Sequence, residues 1–303
     1  MRVITEFDPW GDPLCTCPRK YSLNPYTGCQ HHCLYCYITS YIPRAFNCRP
    51  KRDLLARIRA ELPKLDRRLP VSLSNSSDPY PPMEGRLHLT RKCLQALAQA
   101  GFAVQIITKS NLVVGDLDLL EGMRAVVSFT LTTLNRQLAS KLEPRAPAPA
   151  ERLRAIQAVS SRGIPVTVRL DPLFPGLNEE EIEEIVGAAA GAGAVHITAS
   201  TFKPRPDAWQ RMMLAFPEFC QRTRELYYRE GERHGRARYL PLSLRRRLLL
   251  RVREACERFG LTFSTCREGL KELNTSPSCD GTHLLSSSFA RRTASLSHSN
   301  RPS

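Results

Sequence analysis

Three cysteines, Cys29, Cys33 and Cys36, fall within the run GCQHHCLYCY, three residues between the first two and two between the last two. A loop that short can bring three thiolates to one point. Iron–sulfur clusters are held by cysteine thiolates, usually four, so a set of three leaves one iron of a [4Fe–4S] cluster without a protein ligand. An open iron can bind substrate, by the logic that keeps a position free in catalytic zinc sites. Zinc is the rival reading, with His31 or His32 as the fourth ligand, although a histidine in such a loop also serves as a surface or packing residue.

Four more cysteines pair up near the two ends of the chain. Cys15 and Cys17 precede the loop in PLCTCPRKY, and Cys266 and Cys279 lie in FSTCREGLKELNTSPSCDGTHL. Four thiolates fill a cluster or a zinc site, so an auxiliary [4Fe–4S] or structural zinc site is expected from them. Of the remaining cysteines, Cys48, Cys93, Cys220 and Cys256 have weaker claims. Cys93 and Cys256 lie in apolar helical patterns and read as core thiols, while Cys220, beside the aromatic cluster Phe216–Phe219, is a spare ligand at most. An odd total of eleven, tightly clustered, does not match a secreted disulfide framework.

The elements that must position these ligands follow from the apolar pattern. Strands are predicted at Tyr21–Asn24, Val71–Ser76, Ala103–Thr108, Ala125–Leu131, Val166–Leu170 and Ala194–Ala199. Helices are predicted between them at Leu54–Leu65, Leu89–Ala100, Leu117–Gly122, Ala150–Ser161 and Glu179–Gly191, with His88 or Thr90 and Asn178 as start signals. Six βα units make an α/β chain with a parallel sheet, as an open doubly wound sheet or an incomplete barrel. Polar residues gather after the strand cores, in SNSSDPYPP, TKSN, SFTLTT and RLDP, and in both architectures chemistry sits at those carboxyl ends.

Four segments result. Residues 1–20 form an N-terminal extension bearing Cys15 and Cys17, and 21–202 the α/β unit. Residues 203–285 form a mainly helical C-terminal appendage bearing Cys266 and Cys279, and 286–303 a Ser- and Arg-rich tail expected to be disordered. A length of 303 residues with 42% hydrophobic and 24% charged residues suffices for a sizeable core. No run approaches the ~18 apolar residues of a membrane span, and the start MRVITEFDPWGDPL lacks a basic stretch followed by an apolar run, so a cytoplasmic protein without membrane contact is expected. A net charge of +15 implies an anionic partner, such as nucleic acid, a phosphorylated substrate or an acidic protein, unless the arginines only solvate helix faces.

With its aromatic Tyr35 just before the third cysteine, the cluster loop resembles that of the radical S-adenosylmethionine (SAM) superfamily. NPYTGCQHHCLYCY, SSDPYPPME, ITKSNLVVGDLDLL, LEPRAPAPAERLRAI and DPLFPGLN together look like its spore photoproduct lyase-like, or "DNA repair photolyase", branch, over Lys20 to Phe202. The resemblance implies a partial (β/α)6 TIM-like barrel. It implies a cluster whose open iron is chelated by SAM and which, reduced by an external donor of flavodoxin or ferredoxin type, cleaves SAM to methionine and a 5′-deoxyadenosyl radical. That radical abstracts hydrogen from the substrate.

By position, the resemblance sets Ser77 and Asp78 at the SAM amino group and Lys109 at its carboxylate. Ser128 or Thr130 would meet the carboxylate or ribose, and Arg169 a SAM or substrate anion. Tyr35 would lie near the adenine, and Tyr35 and Tyr37 occupy positions resembling those used for hydrogen transfer. For each polar residue the alternative is a helix or turn cap. One departure matters: spore photoproduct lyases carry a hydrogen-donating cysteine where this chain has Ser76, and a hydroxyl O–H bond is too strong to replace it. Thymine-dimer repair is therefore not expected.

Three functions are compatible with these residues. A radical SAM enzyme acting on a large or anionic substrate leads, with nucleic acid favoured by the resemblance and by the basic helix Arg245–Arg253. The others are a peptide- or protein-modifying radical SAM enzyme with an auxiliary cluster, and an iron–sulfur electron-transfer protein without SAM chemistry.

Overall fold

In a computed structural model, residues 2–8 and 11–286 are described. Eight strands form one sheet in chain order: β1 (Ile4–Glu6), β2 (Tyr21–Leu23), β3 (Val71–Leu73), β4 (Val104–Thr108), β5 (Ala125–Thr130), β6 (Val166–Leu173), β7 (His196–Thr201) and β8 (Thr262–Thr265). β1 runs antiparallel to β2, and every other neighbour is parallel. The β1 and β8 edges do not pair with each other, so the sheet is compatible with a partial TIM-like barrel. All six predicted strands are present. Every residue of β5 and β7 is buried, as parallel strands covered on both faces must be.

Helices follow the strands: α1 (Leu54–Glu61), α2 (Leu89–Gln99), α3 (Leu117–Glu121), α4 (Arg136–Leu142), α5 (Pro149–Ser160) and α6 (Ile182–Gly191). The predicted first helix is shortened, because Leu62–Lys64, with Pro63 at its centre, tightens into a 3₁₀ turn. Two start signals act differently from expectation. α2 begins without a cap from His88 or Thr90; the Glu84 carboxylate accepts the N–H groups of Leu89 at 3.0 Å and Thr90 at 2.9 Å. Asn178 turns inward instead of capping, its Nδ2 donating to the carbonyls of Thr132 and Pro172 and its Oδ1 accepting from the Phe174 N–H.

The segments on either side of the alternating region supply β1 and β8. After β7 come α7 (Pro206–Ala215), α8 (Pro217–Tyr228) and α9 (Leu242–Arg258). A second apolar cluster there gathers Phe174, Phe202, Trp209, Met212, Phe219 and Tyr227 beside the main core. The expected disordered tail lies, from residue 287 on, outside the described residues.

The basic stretch Arg245–Arg253 on α9 does not form a free cationic face. Arg245 is buried and pairs with Glu232 at 2.8 Å and with Glu268. Arg246 pairs with Glu272, Arg251 with Glu180 at 3.4 Å and Arg253 with Glu257 at 2.8 Å. Of the five arginines in the stretch, only Arg247, which is exposed, is left without an ion pair among the described residues, which weakens the helix as an argument for nucleic acid.

Candidate active site

A cavity of about 570 Å³ opens at the carboxyl ends of the strands, lined by Lys109 after β4, Thr130 from β5, Arg169 and Asp171 from β6 and Ser200 and Thr201 from β7. Cys29, Cys33 and Cys36 line the same cavity. Their loop leaves β2 through Gly28, where φ is +80° and an added Cβ would stand 2.4 Å from the Ala45 carbonyl oxygen, so only glycine fits. That carbonyl accepts the Cys29 N–H at 2.8 Å. At the other end Arg211 donates to the carbonyls of Leu34 and Cys36, both at 2.8 Å.

Burial pushes all three thiols up to about 12. The Lys109 ammonium opposes this at Cys33 and Cys36, and the His31 N–H, 3.5 Å from the Cys29 sulfur, opposes it at Cys29. Their protons leave when a metal replaces them. Among the described residues no three or more His, Cys, Asp or Glu side chains are gathered tightly enough to clasp a single metal ion. A cubane spreads its ligands over separate irons, and three thiols on one loop fit it by donor chemistry. Neither histidine of the zinc reading turns to the sulfurs. His31 Nε2 faces Asp78 at 3.2 Å, and His32 stacks on Phe46 with Nε2 at the Phe46 carbonyl.

Asp78 is fully engaged. Its carboxylate accepts from Thr108 Oγ1 at 2.7 Å, the Lys109 N–H at 2.8 Å and the Tyr80 N–H at 2.9 Å, besides facing His31. Burial works against the charge, but His31 and these donors outweigh it and hold the carboxyl at about 2. Ser77 differs: its buried hydroxyl lines the cavity and meets no partner among the described residues. Of the pair expected at the SAM amino group, Ser77 keeps its hydroxyl without a partner among the described residues, while Asp78 braces the strand end.

Lys109 is half-buried, and the loss of solvent disfavours its charge. The Cys33 thiol and Glu143, 3.9 Å from Nζ, more than restore it, so its pKa is raised. Thr130 lines the cavity; Ser128 does not, lying one layer deeper on the same face of β5. Arg169 pairs with Asp171 at 2.7 Å and hydrogen-bonds Cys266, so it faces the second thiol set. Tyr35 donates its hydroxyl hydrogen to Glu143, and Tyr37 donates to the Asn75 carbonyl at 2.7 Å; both rings line the cavity. Ser76 Oγ donates to Asn24 Oδ1 at 3.3 Å.

Sequence reasoning missed the bracing of these residues. Glu143 and Arg152 form a buried ion pair behind Tyr35 and Lys109, and His31 braces Asp78. The charges inside LEPRAPAPAERLRAI were the available signal. Cys15, Cys17 and Cys266 line the cavity too, and Cys279 stands behind Cys17 with sulfurs 3.4 Å apart.

Known proteins resemble this chain in sequence and in fold. The Radical SAM superfamily model matches residues 23–189, more than half of the chain. The Mycobacterium tuberculosis protein Rv2578c is 32% identical over 264 residues, covering 80% of this chain and 76% of its own. The Methanocaldococcus jannaschii protein MJ0683 is 30% identical over 173 residues, 55% of this chain and 65% of its own. A spore photoproduct lyase variant with bound AdoMet and dinucleoside spore photoproduct superposes with a TM-score of 0.64 at 19% identity, over 80% of this chain and 75% of the other. Streptococcus suis SuiB bound to S-adenosylmethionine gives 0.54 at 16%, over 80% and 49%. No helix among the described residues is long and apolar enough to cross a membrane. On the family match and the shared fold, the chain belongs to the radical SAM superfamily of enzymes.

Proposed function

We propose that this chain holds a [4Fe–4S] cluster on Cys29, Cys33 and Cys36, binds SAM beside it and abstracts a hydrogen atom from an anionic substrate in the cavity. When bound and reduced, the cluster supplies one electron to the sulfonium of SAM, which then splits into methionine and a 5′-deoxyadenosyl radical. The protein's residues bind, orient and exclude water. Ser77 Oγ accepts from the SAM amino group, the Lys109 ammonium pairs with its carboxylate and Thr130 bonds the same group or the ribose. Asp78 fixes the backbone of Lys109 and so the direction of its side chain. Tyr35, held against Glu143, forms a wall beside the adenine, and Tyr35 and Tyr37 both line the cavity where hydrogen transfer would take place.

The observation that carries the reading is that three loop thiols, the unpartnered Ser77 hydroxyl and the Lys109 ammonium all line one cavity. An anionic substrate is supported by Arg205, which lines the cavity and stacks on Tyr37 at 5.8 Å and Tyr41 at 5.7 Å; Lys203 lines it too, but its charge is matched by Glu268 at 2.5 Å. Spore photoproduct lyase binds a dinucleoside lesion and SuiB a precursor peptide. The cation-lined wall favours a nucleotide-bearing substrate, and Ser76 argues against the thymine lesion itself. A flavodoxin- or ferredoxin-type reductant supplies the electron, and the net charge of +15 suits such acidic partners.

Anaerobic incubation with dithionite and SAM tests this. 5′-Deoxyadenosine should form and should take up deuterium from a labelled true substrate. No 5′-deoxyadenosine from fully cluster-loaded protein would support electron transfer without SAM chemistry instead.

A further inference from the structure

Two cysteine pairs, far apart in the sequence, meet at the cavity, where Cys15, Cys17 and Cys266 line it and Cys279 stands behind Cys17. Cys17 and Cys279 bring their sulfurs to 3.4 Å across 262 residues of sequence. The Cys15 thiol hydrogen-bonds Cys17, and Cys266 lies close enough to interact electrostatically with Cys15, Cys17 and Cys279. All four are free thiols. Their setting differs from that of Cys93 and Cys256, which are sealed in the main apolar core.

The backbone under each is pinned. The buried pair Lys20–Asp280 joins the segment after Cys17 to the residue after Cys279, and Gln105 bridges them, accepting from Lys20 at 3.1 Å and donating to the Asp280 carbonyl at 2.7 Å. On the other side Arg267 Nε donates to Asp12 at 2.7 Å, joining the residue after Cys266 to the turn that carries Cys15. Strand β7 holds the C-terminal pair. The Cys266 N–H donates to the Ala199 carbonyl at 2.9 Å, and Thr198 Oγ1 donates to the Cys279 carbonyl at 2.9 Å. Gly281, at φ +81°, approaches Thr167 so closely that a Cβ would stand 2.5 Å from its methyl carbon. A buried ion pair, Lys20–Asp280, and a half-buried one, Arg267–Asp12, thus flank the thiol set; such pairs contribute little net stability, and these two point to a fixed geometry.

Cations face the sulfurs. Arg169 hydrogen-bonds Cys266, and Lys20 lies beside Cys17. Four thiols with positive neighbours suit a centre that needs thiolates, and soft sulfur ligands select iron–sulfur clusters or zinc over magnesium, calcium or manganese. All four lie outside residues 23–189, so the superfamily match does not contain them.

We propose that Cys15, Cys17, Cys266 and Cys279 form a second, four-thiolate site for a [4Fe–4S] cluster, whose separate irons suit sulfurs that do not converge tightly enough to clasp a single ion. With four protein ligands it has no open position, so SAM does not bind it. It clips the two ends of the chain together over the cavity and fixes the wall against which the substrate lies.

The test uses the full-length chain carrying C29A/C33A/C36A, treated anaerobically with iron and sulfide in one arm and with zinc in the other. The proposal expects about four irons to remain per chain, and expects that iron to be lost when C17A/C279A is added. The single change C266S, milder to the fold, should weaken metal retention against a chelator at least tenfold with an unchanged circular dichroism spectrum. A folded triple variant that holds no iron, or that holds only zinc, would overturn the proposal. So would metal that survives C17A/C279A, or a Cys17–Cys279 disulfide in peptide maps of anaerobically purified protein. The SAM-cleavage reading stands or falls separately, on 5′-deoxyadenosine from the wild-type chain.

Discussion

Tyr35 donates its hydroxyl hydrogen to Glu143, tying the cluster loop, between its second and third cysteines, to the end of α4. The same carboxylate accepts from Arg152 and from Thr132 at 2.8 Å and stands 3.9 Å from Lys109. One buried anion thus positions a loop residue and a proposed SAM ligand together.

Replacing it by an amide should be costly. Glu143→Gln leaves the Arg152 guanidinium buried without its counter-charge and should lower stability by about 3–5 kcal/mol, read from urea unfolding. Burial raises the Glu143 pKa, but Arg152 and Lys109 overcome that and hold it at about 2, below the ordinary 4.5. A depressed carboxyl stabilises fully above its unfolded value and loses that contribution as pH falls through its folded one. The wild-type advantage should therefore be constant above about pH 5 and shrink between about pH 4.5 and 2. A gap independent of pH would contradict the assignment.

Ser77→Ala should leave the fold intact, because the hydroxyl has no partner among the described residues to lose. If it accepts from the SAM amino group, KM for SAM should rise about five- to tenfold, with the urea midpoint unchanged. An unaltered KM would mean that the hydroxyl plays no part in binding.

Lys109→Met removes the charge assigned to the SAM carboxylate. A charge-assisted hydrogen bond of about 1.5–3 kcal/mol corresponds to a KM increase of about 10- to 150-fold. Iron content should fall less than SAM affinity, since Lys109 is not a ligand. Equal loss of both would assign the lysine to the cluster pocket rather than to SAM.

Each of Arg246, Arg251 and Arg253 is already paired with a glutamate. R246A/R251A/R253A should therefore leave the salt dependence of oligonucleotide binding unchanged. A log–log slope reduced by about one per arginine removed would show that α9 contacts phosphates after all.

The sequence made some of this plain and hid the rest, for physical reasons. Strands β2 to β7 are mostly buried and carry apolar residues at their centres or in runs, which pattern reads easily; β1 (ITE) and β8 (TFST) are short, mixed in polarity and stabilised by pairing with a distant neighbour. The cluster loop was legible because its three ligands are local in sequence. Glu84, Asn178 and Arg245 each found partners inside the fold that no local pattern announces. The same holds for His31 against Asp78 and for Cys17 against Cys279, contacts that exist only once the sheet is assembled.

Electron paramagnetic resonance of the dithionite-reduced protein, recorded with and without SAM, tests the open-iron cluster most directly. A cubane signal that shifts on SAM addition is predicted, and that SAM-responsive component should vanish in C29A/C33A/C36A whatever metal the second thiol set retains. A signal indifferent to SAM, or a responsive one that persists in the triple variant, would contradict the account.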